Sequence, residues 1–330
     1  MDWVGIFLGG LLAMIGPVTA AYAISASGLN LQFGYAGLLN FGHVAFMLAG
    51  AYGLAITVES GGSMWLGIVV GILAAVVLGL LMGIPTLRLR ADFFAITSIA
   101  VAEVIRLLVR SSWAQPFTGG VFGLQGFADA FYALNPFTPD RQYGIGRMTV
   151  SGRSLWVLVV GWTLVLITTL LIARLMSSPW GRVLKALRED EDAATALGKN
   201  VFFYKLQALM LGGALGALSG IVLAIDQQSV HPDAFQPRVT FILFVMVILG
   251  GAGTVWGPVV GAALFNFLYF AIDDLMVELQ ANVGFINSLL TEAEAALVKL
   301  VLVGIALMLL MIFRPQGLFG SREESLLSAR

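Results

Sequence analysis

The chain has 330 residues, a net charge of −1 at pH 7, and 59 % hydrophobic residues. Its mean hydropathy is +0.93. Only 11 % of its residues are charged, against roughly 25 % in soluble domains. This excludes a soluble enzyme and leaves no basic field for nucleic acid. With no cysteine and two histidines, it also excludes a disulfide framework, a thiol nucleophile and a Cys-ligated metal.

A bilayer core about 30 Å thick needs roughly 20 apolar residues in helix. Segments 4–24, 36–58, 64–84, 93–110, 154–176, 201–224, 239–251, 257–272 and 297–313 qualify as candidate spans. Several are short or glycine-broken, so eight to ten crossings are expected. The fold expected is an all-α polytopic membrane protein, one transmembrane domain over 1–330. The first apolar run lacks a basic stretch before it and is long enough to span, so no cleavable leader is expected.

The second span reads G-Y-A-G-L-L-N-F-G-H-V-A-F-M-L-A-G-A-Y from Gly34. Asn40, Phe41, Gly42 and His43 interrupt a lipid-compatible run. A helix broken in a bilayer frees backbone groups that protein or cavity water must satisfy. Such breaks line substrate sites in transporters. The stretch reads either way, as a pathway lining or as polar glue between helices. A metal at His43 is disfavoured, because no second ligand stands at helical spacing.

In the third span Gly67/Gly71 and Gly79/Gly83 stand four apart, the spacing that lets helix backbones approach closely. Glu103 and Arg106, three apart on the next helix, are placed to pair. Segment 111–153 is a long Gly- and aromatic-rich loop carrying T-G-G-V-F-G-L-Q-G. Its Thr118, Gly119 and Gly120 read as a ligand-facing backbone or as an ordered cap.

Segment 177–200 is a polar island with eight charged residues in 24. Pro179 suits a helix start. From Gly181 onward Val183, Leu184 and Leu187 share one face, while Arg182, Lys185 and Arg188 point elsewhere. The acidic run Glu189–Asp192 suits the cap of a second short helix through Ala193, Ala194, Ala196 and Leu197, stopped by Gly198. On charge alone the island reads equally as a solvated connection or as a docking knob. Arg174, Arg182, Lys185, Arg188, Lys199 and Lys205 place it in the cytoplasm, and Arg314, Arg322 and Arg330 put the C-terminal tail 314–330 on the same side. Gly212, Gly216 and Gly220 then form a packing stripe, at the core or at a dimer seam. A second interrupted run, I-L-G-G-A-G-T-V-W-G-P-V-V-G-A-A-L-F from Ile248, mirrors the break near Asn40. Paired breaks in two halves point to a midplane site.

The island's G-R-V-L-K-A-L-R-E-D-E-D-A-A-T-A-L-G resembles the loop by which ABC-importer permeases dock on their ATPases, in the version of the LivM-type branched-chain amino acid permeases. Five further blocks resemble the same family: Gly34–Tyr52, Arg90–Glu103 (with Ala91-Asp92-Phe93 departing from its pattern), Thr118–Gly126, the run from Ile248 and Phe313–Gly320. The resemblance implies a pathway-lining role for the break at Asn40–His43 and ATPase coupling through Gly181, Arg182, Arg188, Glu189, Glu191, Ala193, Ala194 and Gly198. It further implies a LivH-type second permease, two ATPases of LivG/LivF type, an extracytoplasmic binding protein, and a place in a bacterial inner membrane. No Walker A motif is present, so no cofactor is expected on this chain, and ATP and magnesium belong to the partner subunits. Rival readings are the same architecture with urea, short amides or other amino acids as cargo, and a stand-alone ion-coupled transporter. A membrane enzyme ranks below these for want of a nucleophile or metal cluster.

Overall fold

The computed structural model describes residues 3–87, 91–139, 141–145, 148–282, 298, 301–305, 308–309, 312 and 317–320. The chain opens with α1 (Trp3–Ile15) and α2 (Pro17–Asn30), which continues into a π-helical turn, Leu31–Tyr35. Gly16 separates the first two, and the pair bends by 48° there. Pro17 at the first position of α2 supplies the reason, since it lacks the N–H a continuous helix would need. The first span therefore does not end at residue 24; it runs on to Tyr35, and α2 is its buried part. After an irregular stretch come α3 (Val44–Glu59), α4 (Met64–Thr86) and α5 (Ala91–Arg110).

A cap follows: α6 (Gln115–Thr118), β1 (Leu124–Gln125), α7 (Asp129–Tyr132), β2 (Gln142–Ile145) and β3 (Met148–Ser151). Then α8 (Gly152–Ser177) leads to two short helices, α9 (Pro179–Glu189) and α10 (Glu191–Ala196). The chain returns through α11 (Val201–Gln227), β4 (Ser229–Val230), a 3-10 turn (Pro232–Phe235), α12 (Pro237–Gly250) and α13 (Gly257–Asn282). The last of these extends ten residues past the expected end at 272. Span 297–313 and the tail lie largely outside the described residues.

Among the described residues, four helices are long and apolar enough to cross a membrane: α4, α8, α11 and α13. The α1–α2 pair makes a fifth if taken as one bent span, and α3 and α12 are shorter apolar helices. Their exteriors are hydrocarbon. Leu66, Val69, Leu73, Val77 and Leu81 of α4 and Leu166, Ile167, Leu170 and Leu171 of α8 are exposed. A water-soluble fold does not present such continuous apolar faces.

The centre is α11 against α2, α3 and α4, and small residues explain how they close. A Cβ on Gly212 would lie 2.5 Å from the Gly28 carbonyl oxygen, and one on Gly220 only 2.0 Å from that of Met47. Gly216 faces His43 and Phe46. The stripe thus packs inside this chain. Gly71 meets the Gly50 backbone in the same way, Gly67 faces Leu54, and Gly79 and Gly83 face Met210 and Leu206 of α11.

Candidate functional site

The charged island folds as the two short helices its sequence implies. Ser178 caps α9, accepting from the Gly181 N–H, with Pro179 at the first position. Asp190 Oδ1 caps α10, accepting from the N–H groups of Asp192 and Ala193 at 2.9 Å each. Gly198 ends the unit with φ +75°. Leu184 and Leu187 are buried under α9, while Arg182, Arg188, Glu189, Glu191 and Ala193 are exposed and Ala194 is buried. Gly181 is buried, and a Cβ there would meet the Met176 backbone at 2.5 Å. Lys205 of α11 reaches back to the Glu191 carboxylate and ties α10 to the bundle.

The inner face of α9 lies on the π-helical turn. Arg188 Nη1 donates to the Gly34 carbonyl at 2.5 Å, and the Lys185 ammonium sits 5.9 Å from the centre of the Tyr35 ring. The second glycine-rich break, after α12, arrives at the same place. Asn30 Nδ2 donates to the Thr254 carbonyl and Asn30 Oδ1 accepts from the Gly253 N–H, both at 2.8 Å. The C-terminal block closes the group: Leu318 and Phe319 N–H donate to the carbonyls of Leu249 and Gly250 at 3.0 Å. Gly251, Gly253 and Gly317 have positive φ here, and a Cβ on Gly317 would strike the Gly251 N at 2.6 Å. Three separate sequence blocks thus converge beneath the charged helices.

The Asn40–His43 interruption sits deeper in the bundle as a buried polar network. Gln32 Oε1 accepts from Asn40 Nδ2 at 2.9 Å and stands 3.1 Å from His43 Nδ1. Gln32 Nε2 donates to the Leu209 carbonyl at 3.0 Å. Asn40 Oδ1 takes the Gly42 N–H, Ser98 Oγ takes that of Phe41, and Thr240 Oγ1 takes that of Val44. The N–H groups freed by the break are therefore met by side chains of the break itself, of α5 and of α12. Asn40 and His43 are fully buried. Phe41 is half-buried, packed on Phe241 and Phe244 with ring centres 5.3 and 4.8 Å away. Gly42 must be glycine, since a Cβ would lie 2.1 Å from the Ser98 carbonyl oxygen.

Thr118, Gly119 and Gly120 lie at the opposite end of the bundle, apart from Asn40–His43. Thr118 Oγ1 donates to the Val109 carbonyl at 2.7 Å and accepts from the Gly120 N–H. Gly119, Gly120, Gly123 and Gly126 all have φ between +57° and +78°. The turn delivers β1 to β4, with Leu124 opposite Val230. Below it Arg106 pairs with Glu103, as their spacing implies, and also with Asp233 at 2.7 Å.

Sequence reasoning missed Asn30, Gln32 and Asp233 as site-building residues. The signal was there for two of them: I-S-A-S-G-L-N-L-Q-F-G-Y places two amides in a run otherwise fit for burial. Among the described residues no group of three or more His, Cys, Asp or Glu is placed to hold a metal.

A helical bundle with hydrocarbon exteriors, two broken helices knit together and an exposed charged helix pair resting on the breaks is a multi-pass membrane permease subunit. The comparisons give it a family. The model for branched-chain amino acid transport system permease components matches residues 11–313, and the chain belongs to that family. The high-affinity branched-chain amino acid transport permease LivM of Escherichia coli K12 is 29 % identical over 314 residues, covering 92 % of this chain and 69 % of its own. A probable LivM of Methanocaldococcus jannaschii is 24 % identical over 344 residues, 93 % of each chain. The nucleoside ABC transporter permease NupC of Lactococcus lactis is 27 % identical over 258 residues, 73 % of this chain and 74 % of its own.

Proposed function

We propose that this chain is one half of the translocation pathway of an ATP-driven importer for branched-chain amino acids in a bacterial cytoplasmic membrane. A second, LivH-type permease supplies the other half. Two ATPases of LivG/LivF type grip α9 and α10 from the cytoplasm, and an extracytoplasmic binding protein delivers cargo to the cap. The C-terminal tail lies on the cytoplasmic side, a reading supported by the pairing of Leu318 and Phe319 at the charged end.

The observation that carries the proposal is the Arg188–Gly34 bond, placed beside the Asn30 bridge to Gly253 and Thr254. A push on α9 is delivered straight to both helix breaks. ATPase closure then reorients α2 and α12, and with them the network of Asn40, Phe41, Gly42 and His43 beside the pathway. Thr118, Gly119 and Gly120 shape the outer mouth. Chemistry on the cargo is not part of this role; the chain binds, guides and moves.

The test is co-purification and reconstitution. Two ATPases and a second permease should accompany the chain, and vesicles holding the complex should take up leucine only with ATP. Uptake by the purified single chain under an ion gradient would refute the proposal. A second cargo reading, nucleosides, is favoured by the NupC relative alone; competition of leucine uptake by uridine would decide for it.

A further inference from the structure

A cavity of about 110 Å³ opens at the cap end, between α2, α3, α11 and α12. Met47, Leu223, Ala224, Phe235 and Val239 form its apolar walls. Tyr22, Gln227, Ser229 and His231 supply polar groups. Its roof belongs to the cap: Ser229 and Val230 are β4, held down by β1, and His231 lies against Gly123, where a Cβ would be 2.8 Å from its Nδ1.

The residues beneath the cavity are more telling. One turn deeper on α2 and α11, and at the residue that precedes α3, stands a buried polar side chain with an atom that makes no hydrogen bond. Ser25 lies three residues from Tyr22, His43 four from Met47, and Ser219 four from Leu223, so each shares its partner's face. Ser25 Oγ, His43 Nε2 and Ser219 Oγ are all unpaired among the described residues. The Ser25 backbone lies beside the His43 ring. Buried polar groups are rarely left so, because each forgoes its hydration. Here three stand about one turn below the cavity wall, on the side of the Asn40 break.

We propose that this cavity is an outer subsite that seats the branched aliphatic side chain of an amino acid on its way through the subunit. The inference rests on the importer reading. The volume is near that of an apolar cavity, about 150 Å³, that takes up benzene, so a four-carbon side chain is a fitting occupant. The polar rim faces the charged headgroup, and the unpaired hydroxyls below offer it the next donors along the path.

The experiment reads the ratio of leucine to valine uptake in vesicles carrying the complete complex and ATP. Ala224→Leu fills the cavity and should lower that ratio about tenfold, the discrimination one methylene group supplies in an apolar pocket. Val239→Ala enlarges it and should raise the ratio. Because each variant is compared with the unaltered complex, selectivity of the binding protein cancels. An unchanged ratio in both variants overturns the subsite. Should Ala224→Leu fail to assemble, Val239→Ala decides alone. If the unaltered complex takes up neither amino acid, the importer reading fails instead.

Discussion

Arg188 and Gly34 stand 154 residues apart, and the Arg188 guanidinium donates to the Gly34 carbonyl at 2.5 Å. This one bond joins the exposed charged helix to the point where the first buried helix unwinds. Arg188 is itself exposed, so the bond contributes about 1 kcal/mol rather than the larger value of a buried charged pair. Arg188→Gln should therefore leave the complex assembled and lower ATP-driven uptake about fivefold. Measured ATP hydrolysis per leucine moved should rise. Equal losses of hydrolysis and uptake would mean that Arg188 docks the ATPase instead of transmitting its motion.

Glu191 and Lys205 hold α10 against α11. Lys205→Glu alone places two carboxylates together and should release α10, lowering uptake severalfold. The double exchange Glu191→Lys with Lys205→Glu should restore much of it, since the pair is rebuilt with reversed sense. Restoration is read by uptake in vesicles. A double variant no better than the single one would show that the identity of Glu191 matters to the partner and not only its bond.

Asn30 bonds to both Gly253 and Thr254 and is buried. Asn30→Leu leaves a half-buried N–H and a half-buried carbonyl without partners, at about 1 kcal/mol each. A fall in the midpoint of thermal unfolding of several degrees is expected in detergent. Asn40→Leu should behave in kind, for Asn40 is spent on Gln32 and Gly42. Loss of uptake in that variant without a fall in stability would give Asn40 a direct part in the pathway.

Glycine substitutions should sort by what a Cβ would meet. Gly220→Ala puts it 2.0 Å from the Met47 carbonyl oxygen, whereas Gly79→Ala meets Met210 side-chain and backbone atoms at 3.3–3.4 Å. The first should cost about 1–3 kcal/mol and the second should be near neutral. Yield of folded complex by size-exclusion chromatography checks both.

Gly123→Ala should unseat the cap. It combines φ +70° with a Cβ 1.9 Å from the Val230 carbonyl oxygen, so the β1–β4 pairing cannot persist. Protease added on the cap side should cut segment 111–151 far faster than in the unaltered chain, with the bundle left whole. Unchanged protection would mean that the cap does not depend on that pairing.

The local features were written in the residue order. Hydropathy marked the helices, because lipid rewards every apolar residue in the same way wherever it stands. The two short helices of the island were legible, since caps, a leading proline and a stop glycine act within one turn; that Ser178 and Asp190 are the capping residues was not. The family blocks marked where the breaks would fall. What hydropathy could not place was the end of the first helix. Ser25, Ser27, Asn30 and Gln32 lower the score of a segment that is wholly buried. The burial of Asn30 and Gln32 is tolerable only because Leu209, Gly253 and Thr254, some two hundred residues on, supply hydrogen-bond partners. In the same way the pairing of Glu103 with Arg106 was local and visible, while Asp233 joined it from 127 residues away. The residue order by itself determined which segments are apolar, where they break and which one is charged. Only the tertiary structure decided that the two breaks, the charged helix and the C-terminal block meet, because a polar group in a dry interior must find its partner wherever the chain brings one.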